Sequence, residues 1–85
     1  MAAICAAPTI LADLGLLEGK RATCYPDMLE KLPETSRCPD SVVVDGRLIT
    51  GRAAGSSLDF GLALVRTLFG GETAQRVAHS IRYEA

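Results

Sequence analysis

The cysteine at position 5 is the residue whose type and position best suit chemistry. Residues 2–5 form a short apolar stretch that predicts a strand, and Pro8 marks a helix start, because its missing N–H would be unpaired there anyway. A strand, a cysteine, a sharp turn and a helix start form the arrangement of a nucleophile elbow, in which the side chain projects beside a helix N-terminus. The common elbow sequence Gly-x-Ser-x-Gly is absent, so the spacing alone also fits a packed, inert cysteine.

The remaining thiols and the single histidine are weaker candidates. For Cys24, in a predicted strand, packing is the main interpretation and a secondary redox role the alternative. Cys38 is expected to be an exposed, incidental thiol in a loop, and His79 to pack or to face solvent on the last helix. An odd number of cysteines without a Cys-x-x-Cys pair argues against a disulfide or zinc framework and favours a reducing compartment. The sequence contains no glycine-rich phosphate motif and no metal-ligand cluster, so we expect no cofactor and no metal.

Composition and charge argue against several classes of protein. Nine Lys and Arg against ten Asp and Glu, in 85 residues, give a net charge of −1, which argues against nucleic acid or an anionic membrane as a partner. A hydrophobic content of 48% is incompatible with a disordered chain. The weakly polar run over residues 1–12 is shorter than the roughly 18 apolar residues of a membrane span. This run contains Pro8 and no preceding Lys or Arg, which argues against a signal peptide, so we expect a cytoplasmic protein.

The elements that must position Cys5 follow from periodicity and turn signals. The first helix is predicted to run from Pro8 to a stop at Gly19, with one apolar face formed by Ile10, Leu11, Leu14 and Leu17. Residues 22–25 predict a short second strand, residues 27–31 one helical turn and residues 32–40 a loop.

The second half of the chain predicts a hairpin and two helices. Strands over 41–44 and 47–50 flank an Asp-Gly turn signal. A small-residue loop over 51–57 then leads to a helix that Ser56 can cap and that Gly70-Gly71 ends. Its apolar stripe is Leu58, Leu62, Val65 and Phe69. A last helix from Glu72 has the stripe Ala74, Val77, Ala78 and Ile81.

This order of elements predicts an α/β fold whose first strand feeds a parallel crossover. The first strand is apolar on both faces, as in the centre of a parallel sheet. A central strand needs neighbours on both sides and helices over both faces, and the chain has too few elements to supply them. We therefore expect the chain to be an incomplete domain.

Several segments resemble one protein family in register. Residues 2–9, Ala-Ala-Ile-Cys-Ala-Ala-Pro-Thr, resemble the elbow of the ThiJ/PfpI superfamily, in particular the branch of the parkinsonism-associated deglycase. Residues 19–26 resemble the strand after the elbow helix, residues 42–50 the family's late hairpin, and residues 51–64 the loop and helix that close the fold. The resemblance covers nearly the whole chain.

The resemblance implies a fold, an arrangement of partners and a set of activities. The fold is a flavodoxin-like three-layer α/β sandwich, also seen in class I glutamine amidotransferases, of which residues 1–85 would be the C-terminal part of a single domain. A companion N-terminal half, in the same or a second chain, would complete it, and homodimers are common. Family members are described as glyoxalases, deglycases, oxidation sensors and chaperones, and some have an older assignment to thiazole monophosphate biosynthesis.

The resemblance also implies roles for particular residues. Cys5 would be the reactive thiolate, and the N–H groups of Ala6 and Ala7 would stabilise an oxyanion. The possible neighbours of the substrate are Tyr25, Arg52, Ala54 and Gly55.

Three departures from the family limit what this site can do. The protease-like branch has a histidine where this chain has Ala6, and many members of the deglycase branch have a histidine where this chain has Tyr25. The family's acidic partner of the thiol lies before the elbow. A thiol of pKa near ~8.5 needs roughly 4 kcal/mol to be fully ionised at pH 7, and a helix N-terminus supplies at most about 2 kcal/mol.

Three hypotheses about function follow from these departures. The first is a Cys-dependent glyoxalase or deglycase that is competent only with its companion half. The second is a redox-sensing or chaperone-like protein without catalysis. The third is an inactive half of a split or processed domain.

Overall fold

A computed structural model describes residues 1–83, which form a three-stranded sheet and three α-helices. The strands are β1 (Ala2–Ile4), β2 (Val42–Asp45) and β3 (Leu48–Gly51). The helices are α1 (Pro8–Asp13), α2 (Ser57–Phe69) and α3 (Gly71–Ser80), and short 3₁₀ helices cover Pro26–Lys31, Glu34–Ser36 and Ala54–Ser56.

The sheet has the order β1-β3-β2, and β3 is its middle strand. Strands β2 and β3 form the predicted antiparallel hairpin, but Asp45 still belongs to β2 and pairs with Leu48, so the turn residues are Gly46 and Arg47, one residue later than predicted. Gly46 has a φ of +62°, the left-handed conformation that this kind of turn needs. β1 runs parallel to β3, with Ala3 opposite Thr50, so the predicted crossover after the first strand is confirmed.

The first helix is shorter than predicted and ends at Asp13 instead of near Gly19. Gly15 has a φ of +74°, and its N–H donates to the carbonyl of Ala12, while the N–H of Leu16 donates to the carbonyl of Leu11. These two bonds form a Schellman motif, which stops a helix at a left-handed glycine. The predicted apolar face is therefore broken up: the side chains of Ile10 and Leu14 are exposed, Leu11 is half-buried, and Leu17 is buried from a turn that follows the helix.

The predicted strand over 22–25 is an extended segment that joins the sheet only through single contacts. Ala22 instead forms an isolated bridge with Arg37, which lies outside the sheet. The N–H of Thr23 donates to the hydroxyl of Thr50, at 2.9 Å, in place of a backbone carbonyl. Because its N–H groups donate to acceptors in different parts of the chain, the segment lies against the sheet without forming the regular hydrogen bonds of a β-ladder. The prediction of a regular strand is wrong here, although the extended conformation is present.

The buried apolar core lies beneath the elbow and includes Leu17, Cys24 and Leu48. The C-terminal helices match their predicted positions, but their stripes are only partly buried. No residue of α2 is fully buried, and Leu58 and Phe69, at the two ends of its stripe, are exposed. In α3, Ala74 is buried, whereas Ile81 is exposed and follows the end of the helix.

The cap of α2 also differs from the prediction. The side chain of Ser56 makes no capping hydrogen bond, and Ser57 instead donates its hydroxyl to the carbonyl of Ala54. No helix within residues 1–83 is both long and apolar enough to cross a membrane.

Candidate active site

The backbone of Cys5 has a conformation that is rare for a residue with a side chain. Its φ is +65°, in the left-handed region. Its N–H donates to the carbonyl of Gly51 at 3.0 Å, and its carbonyl accepts the N–H of Tyr25 at 2.7 Å. Residues held in this region cluster at functional sites, where the surrounding structure over-determines them. The chain therefore holds Cys5 on a sharp turn, anchored on one side by β3 and on the other by the extended segment.

The turn leaves one N–H group available next to the thiol. The N–H of Ala7 donates to the carbonyl of Ile4 at 3.2 Å, and Thr9 donates both its N–H and its hydroxyl to the carbonyl of Ala6. Among residues 1–83, the N–H of Ala6 donates to no protein atom. Of the two predicted oxyanion donors, the N–H of Ala7 is thus engaged within the turn, and that of Ala6 has no partner in the described part of the chain.

Gly51 is part of the site although the sequence did not single it out as a site residue. Besides accepting the N–H of Cys5, it lies so close to its neighbours that a Cβ built on it would approach a side-chain carbon of Ile4 at 2.9 Å and a ring carbon of Phe60 at 2.9 Å. Real Cβ atoms essentially never come this close. Glycine at this position therefore leaves room for the side chains of Ile4 and Phe60 against the end of β3, next to the turn of Cys5.

The thiol of Cys5 is half-buried, and a second thiol lies near it. Cys24 is 1% exposed, and its sulfur lies 3.3 Å from the carbonyl oxygen of Tyr25, to which the thiol donates. Burial raises the pKa of the Cys24 thiol, and a smaller contribution in the same direction comes from the charge of Cys5. The two sulfurs are thus close enough to influence one another electrostatically.

Tyr25 and Arg52 reach the site in different ways. The N–H of Tyr25 contacts Cys5, while its side chain is exposed. The guanidinium of Arg52 donates to the carbonyl of Pro39 at 2.9 Å and to the hydroxyl of Ser41 at 3.3 Å. Arg52 also lines, together with Cys24, a cavity of about 140 Å³. It therefore ties the preceding loop to the end of β3, close to the elbow.

The other predicted neighbours lie further along the chain. Ala54 and Gly55 are exposed on a 3₁₀ turn that begins three residues after Gly51. The described hydrogen bonds join neither residue to Cys5. The structure thus brings together Cys5, the backbone of Tyr25 and the end of β3, and it adds Gly51 and Cys24. The places of Gly51 and Cys24 next to Cys5 depend on contacts between residues that are far apart in the sequence, so the sequence alone could not show them.

The residues described here contain no group of three or more His, Cys, Asp and Glu side chains placed to hold a metal ion.

Comparison with known proteins identifies the family. The model of the DJ-1/PfpI family matches residues 1–67. The chain belongs to the DJ-1/PfpI family. The solved structure of oxidized Toxoplasma gondii DJ-1 superposes with a TM-score of 0.93 at 33% identity, covering 99% of this chain and 46% of that one. The elements of this chain therefore match the C-terminal part of the family's flavodoxin-like fold, and the predicted fold class is confirmed.

Curated relatives of this DJ-1/PfpI chain have several names. Protein DJ-1 homolog A of Arabidopsis thaliana is 45% identical over 91% of this chain and 20% of its own length. The isonitrile hydratase of Pseudomonas putida is 39% identical over 94% of this chain and 36% of its own. The glutathione-independent glyoxalase DJR-1.2 of Caenorhabditis elegans is 38% identical over 82% of this chain and 38% of its own length. The chain spans less than half the length of the curated relatives it matches.

Proposed function

We propose that Cys5 is the nucleophile of a glyoxalase- or deglycase-like site that acts on small dicarbonyls or on glycation adducts. The observation that supports this most directly is the left-handed turn at Cys5, which presents a half-buried thiol beside the unpaired N–H of Ala6. A nucleophile and an unpaired donor side by side are what addition to a carbonyl requires. The glyoxalase among the relatives supports this class of substrate.

In the proposed reaction, the Cys5 thiolate attacks the aldehyde carbon of the dicarbonyl. The sulfur–carbon bond forms as the electron pair of the C=O bond moves to oxygen, and the N–H of Ala6 donates to the oxyanion. Because the N–H of Ala7 is held by Ile4, we assign the oxyanion contact to Ala6 alone. Tyr25 contributes its backbone, since its N–H fixes the carbonyl of Cys5 and therefore the direction of the turn.

We also propose that the site works with a companion half of the domain, in the same or a second chain. The neighbour that the structure adds to Cys5 is another thiol, Cys24, which supplies no positive charge to a thiolate. We therefore propose that the companion half supplies the remaining stabilisation of the thiolate. Large apolar side chains are exposed at Ile10 and Leu14, in and just after α1, and at Leu68 and Phe69 near the end of α2, and that half could cover them.

The test is lactate production from methylglyoxal by the natural protein or complex, compared with the chain alone. Cys5→Ser is expected to reduce the rate to background, and Cys38→Ser, which changes a loop thiol, to leave it unchanged. Equal rates for the wild type and Cys5→Ser would remove the proposal. An isonitrile is tested as a second substrate. If the protein converts the isonitrile but not methylglyoxal, and the reaction depends on Cys5, the assignment of Cys5 as nucleophile stands and the proposed class of substrate is replaced.

A second candidate function is redox sensing without catalysis, with an associated chaperone-like role. The observation that favours it is the difference in exposure, because Cys5 is half-buried while Cys24 is almost fully buried. An oxidant in solution therefore meets Cys5 more readily than Cys24. Mass spectrometry after mild peroxide treatment tests this: modification spread evenly over the three cysteines would contradict it.

The third candidate, an inactive half of a split domain, predicts no turnover and no selective oxidation in any complex. For all three candidates we propose a cytoplasmic location, which the three free thiols support, and a homo-oligomer, as the family resemblance implies.

A further inference from the structure

Cys24 is a nucleophilic group at the elbow that the proposed reaction leaves unused. It lies in the extended segment that packs against the turn of Cys5, and it belongs to the buried core. Its side chain also lines the cavity of about 140 Å³ beside Arg52. This volume is several times the roughly 30 Å³ that one water molecule occupies in the liquid. Cys24 therefore borders a cavity and precedes the residue whose backbone contacts Cys5.

The backbone places Cys24 close to Cys5. The carbonyl of Cys5 accepts the N–H of Tyr25 at 2.7 Å. The Cα atoms of Cys5 and Cys24 are therefore joined through this hydrogen bond and four covalent bonds, which limits their separation to about 7.5 Å. Disulfides join Cα atoms that are roughly 4.4–6.8 Å apart, a range that lies within this limit.

The electrostatics of the pair also favour a two-step reaction. A negative charge on Cys5 raises the pKa of Cys24, in addition to the larger effect of burial. When Cys5 becomes a neutral sulfenic acid, that charge disappears and the Cys24 thiol ionises more readily. Oxidation of the first sulfur thus prepares the second one to attack.

We propose that Cys24 is the resolving cysteine of Cys5, so that hydroperoxide converts the pair into a disulfide. This inference rests on the proposed reactivity of Cys5 but not on its carbonyl substrate. In the first step the Cys5 thiolate attacks the peroxide: an S–O bond forms, the O–O bond breaks, and the departing oxygen leaves as water or an alcohol after taking a proton. In the second step the sulfur of Cys24 attacks that of Cys5, the S–S bond forms, the S–O bond breaks, and hydroxide leaves as water with the thiol proton of Cys24.

The disulfide has two consequences for the site. It occupies the sulfur that would attack a carbonyl, so activity stops while the bond is present. It also removes the sulfenic acid before further oxidation to sulfinic acid, which is irreversible for most proteins. A dithiol reductant restores both thiols, and the site becomes reversibly regulated by peroxide.

Peptide mapping of the natural protein or complex tests the proposal. The reduced protein is treated with an excess of hydrogen peroxide, blocked with iodoacetamide and digested with trypsin. The three cysteines then fall in separate peptides, which end at Lys20, Lys31 and Arg47. The expected product joins the first two peptides and is about 2 Da lighter than their sum. Cys5 found as sulfinic acid, about 32 Da heavier, with Cys24 alkylated would overturn the proposal, and so would a link to Cys38.

Two variants sharpen the result. In Cys24→Ser, which retains a hydroxyl to donate to the carbonyl of Tyr25, Cys5 is expected to accumulate as sulfinic acid, and dithiothreitol no longer restores its alkylation. In Cys38→Ser, the matched control, the link between Cys5 and Cys24 is expected to be unchanged. If Cys24→Ser does not fold, the maps of the wild type and Cys38→Ser decide the question.

The mapping needs no carbonyl substrate, so its outcome is separable from that of the proposed function. A disulfide between Cys5 and Cys24 without lactate production would support this inference and contradict the proposed glyoxalase activity. Lactate production without a link removes this inference alone.

Discussion

The elbow and the C-terminal helices differ in how the chain supports them. The turn at Cys5 is held by backbone bonds to Gly51 and Tyr25 and lies over the buried core, which includes Leu17. Helix α2 is the longest regular element among residues 1–83, yet none of its residues is fully buried. Leu68 and Phe69, near its end, are 67% and 69% exposed.

This difference separates local from tertiary stabilisation. A helix forms where propensity and apolar spacing favour it, but most of its stability in a protein comes from packing of its apolar face. A left-handed cysteine has no local preference to support it and exists only because distant residues hold it. The backbone of Cys5 is therefore held on both sides by distant residues, while the helical region presents a surface that other protein can cover.

The largest expected effect compares a leucine from each region. Leu17→Ala is expected to lower the free energy of unfolding by about 2–5 kcal/mol, because the side chain is fully buried and leaves a cavity. Leu68→Ala is expected to change it by less than about 0.5 kcal/mol, since the side chain is mostly exposed. Urea denaturation, with the slope checked for constancy, measures both.

If the two leucine variants lost similar amounts of unfolding free energy, the distinction between the two regions would be wrong. A companion half that covers α2 would sharpen it: in its presence, Leu68→Ala is expected to weaken association while the stability of the isolated chain stays unchanged.

A pair of glycines gives effects of opposite sign. Gly51→Ala is expected to destabilise the fold by about 1–3 kcal/mol, because the new Cβ would overlap Ile4 and Phe60 and these would have to move. Gly61→Ala, in the interior of α2, is expected to stabilise it by about 0.5–1 kcal/mol, since nothing lies within 4 Å of the new Cβ and alanine favours the helix. Thermal or urea unfolding of both variants is the measurement, and a stabilising Gly51→Ala would show that the elbow packs more loosely.

The smallest expected effect concerns the stability of the elbow at alkaline pH. Because the folded state raises the pKa of Cys24 above its ordinary value of 9.0, the unfolded chain loses this proton first as the pH rises. The contribution to stability is therefore fully present below pH 9.0 and is lost as the pH rises above it. Unfolding curves from pH 7 to 10.5 are expected to show this decline in the wild type and in Cys38→Ser, and a smaller decline in Cys24→Ser. Identical declines in all three would mean that burial does not hold the Cys24 proton.

Local signals predicted the elements that depend on turn chemistry. Pro8 starts α1, Gly46 lies in the hairpin turn, and Gly70 separates the last two helices, as the sequence indicates. In each case one residue's own backbone preference settles the conformation. The position of Cys5 between a strand and a helix was visible for the same reason.

The predictions were wrong in two segments where local sequence signals favour different structures. The spacing of Leu14 and Leu17 continues the helical pattern, but the helix ends at Asp13. The Schellman bonds at Gly15 decide between a longer helix and this early end. The extended segment around Thr23 has the composition of a strand, but its N–H finds the hydroxyl of Thr50. Which acceptor a backbone donor meets is decided by the neighbours that folding brings, and these lie far away in the sequence.

The hairpin, the starts of the helices and the candidate nucleophile were set by residues acting on their immediate neighbours, so they could be derived from the chain alone. The left-handed backbone of Cys5, the unpaired N–H of Ala6 and the thiol of Cys24 beside the elbow arose only in the tertiary structure. The physical reason is that a conformation unfavourable by itself is stabilised by hydrogen bonds from β3 and the extended segment, whose approach no local pattern encodes.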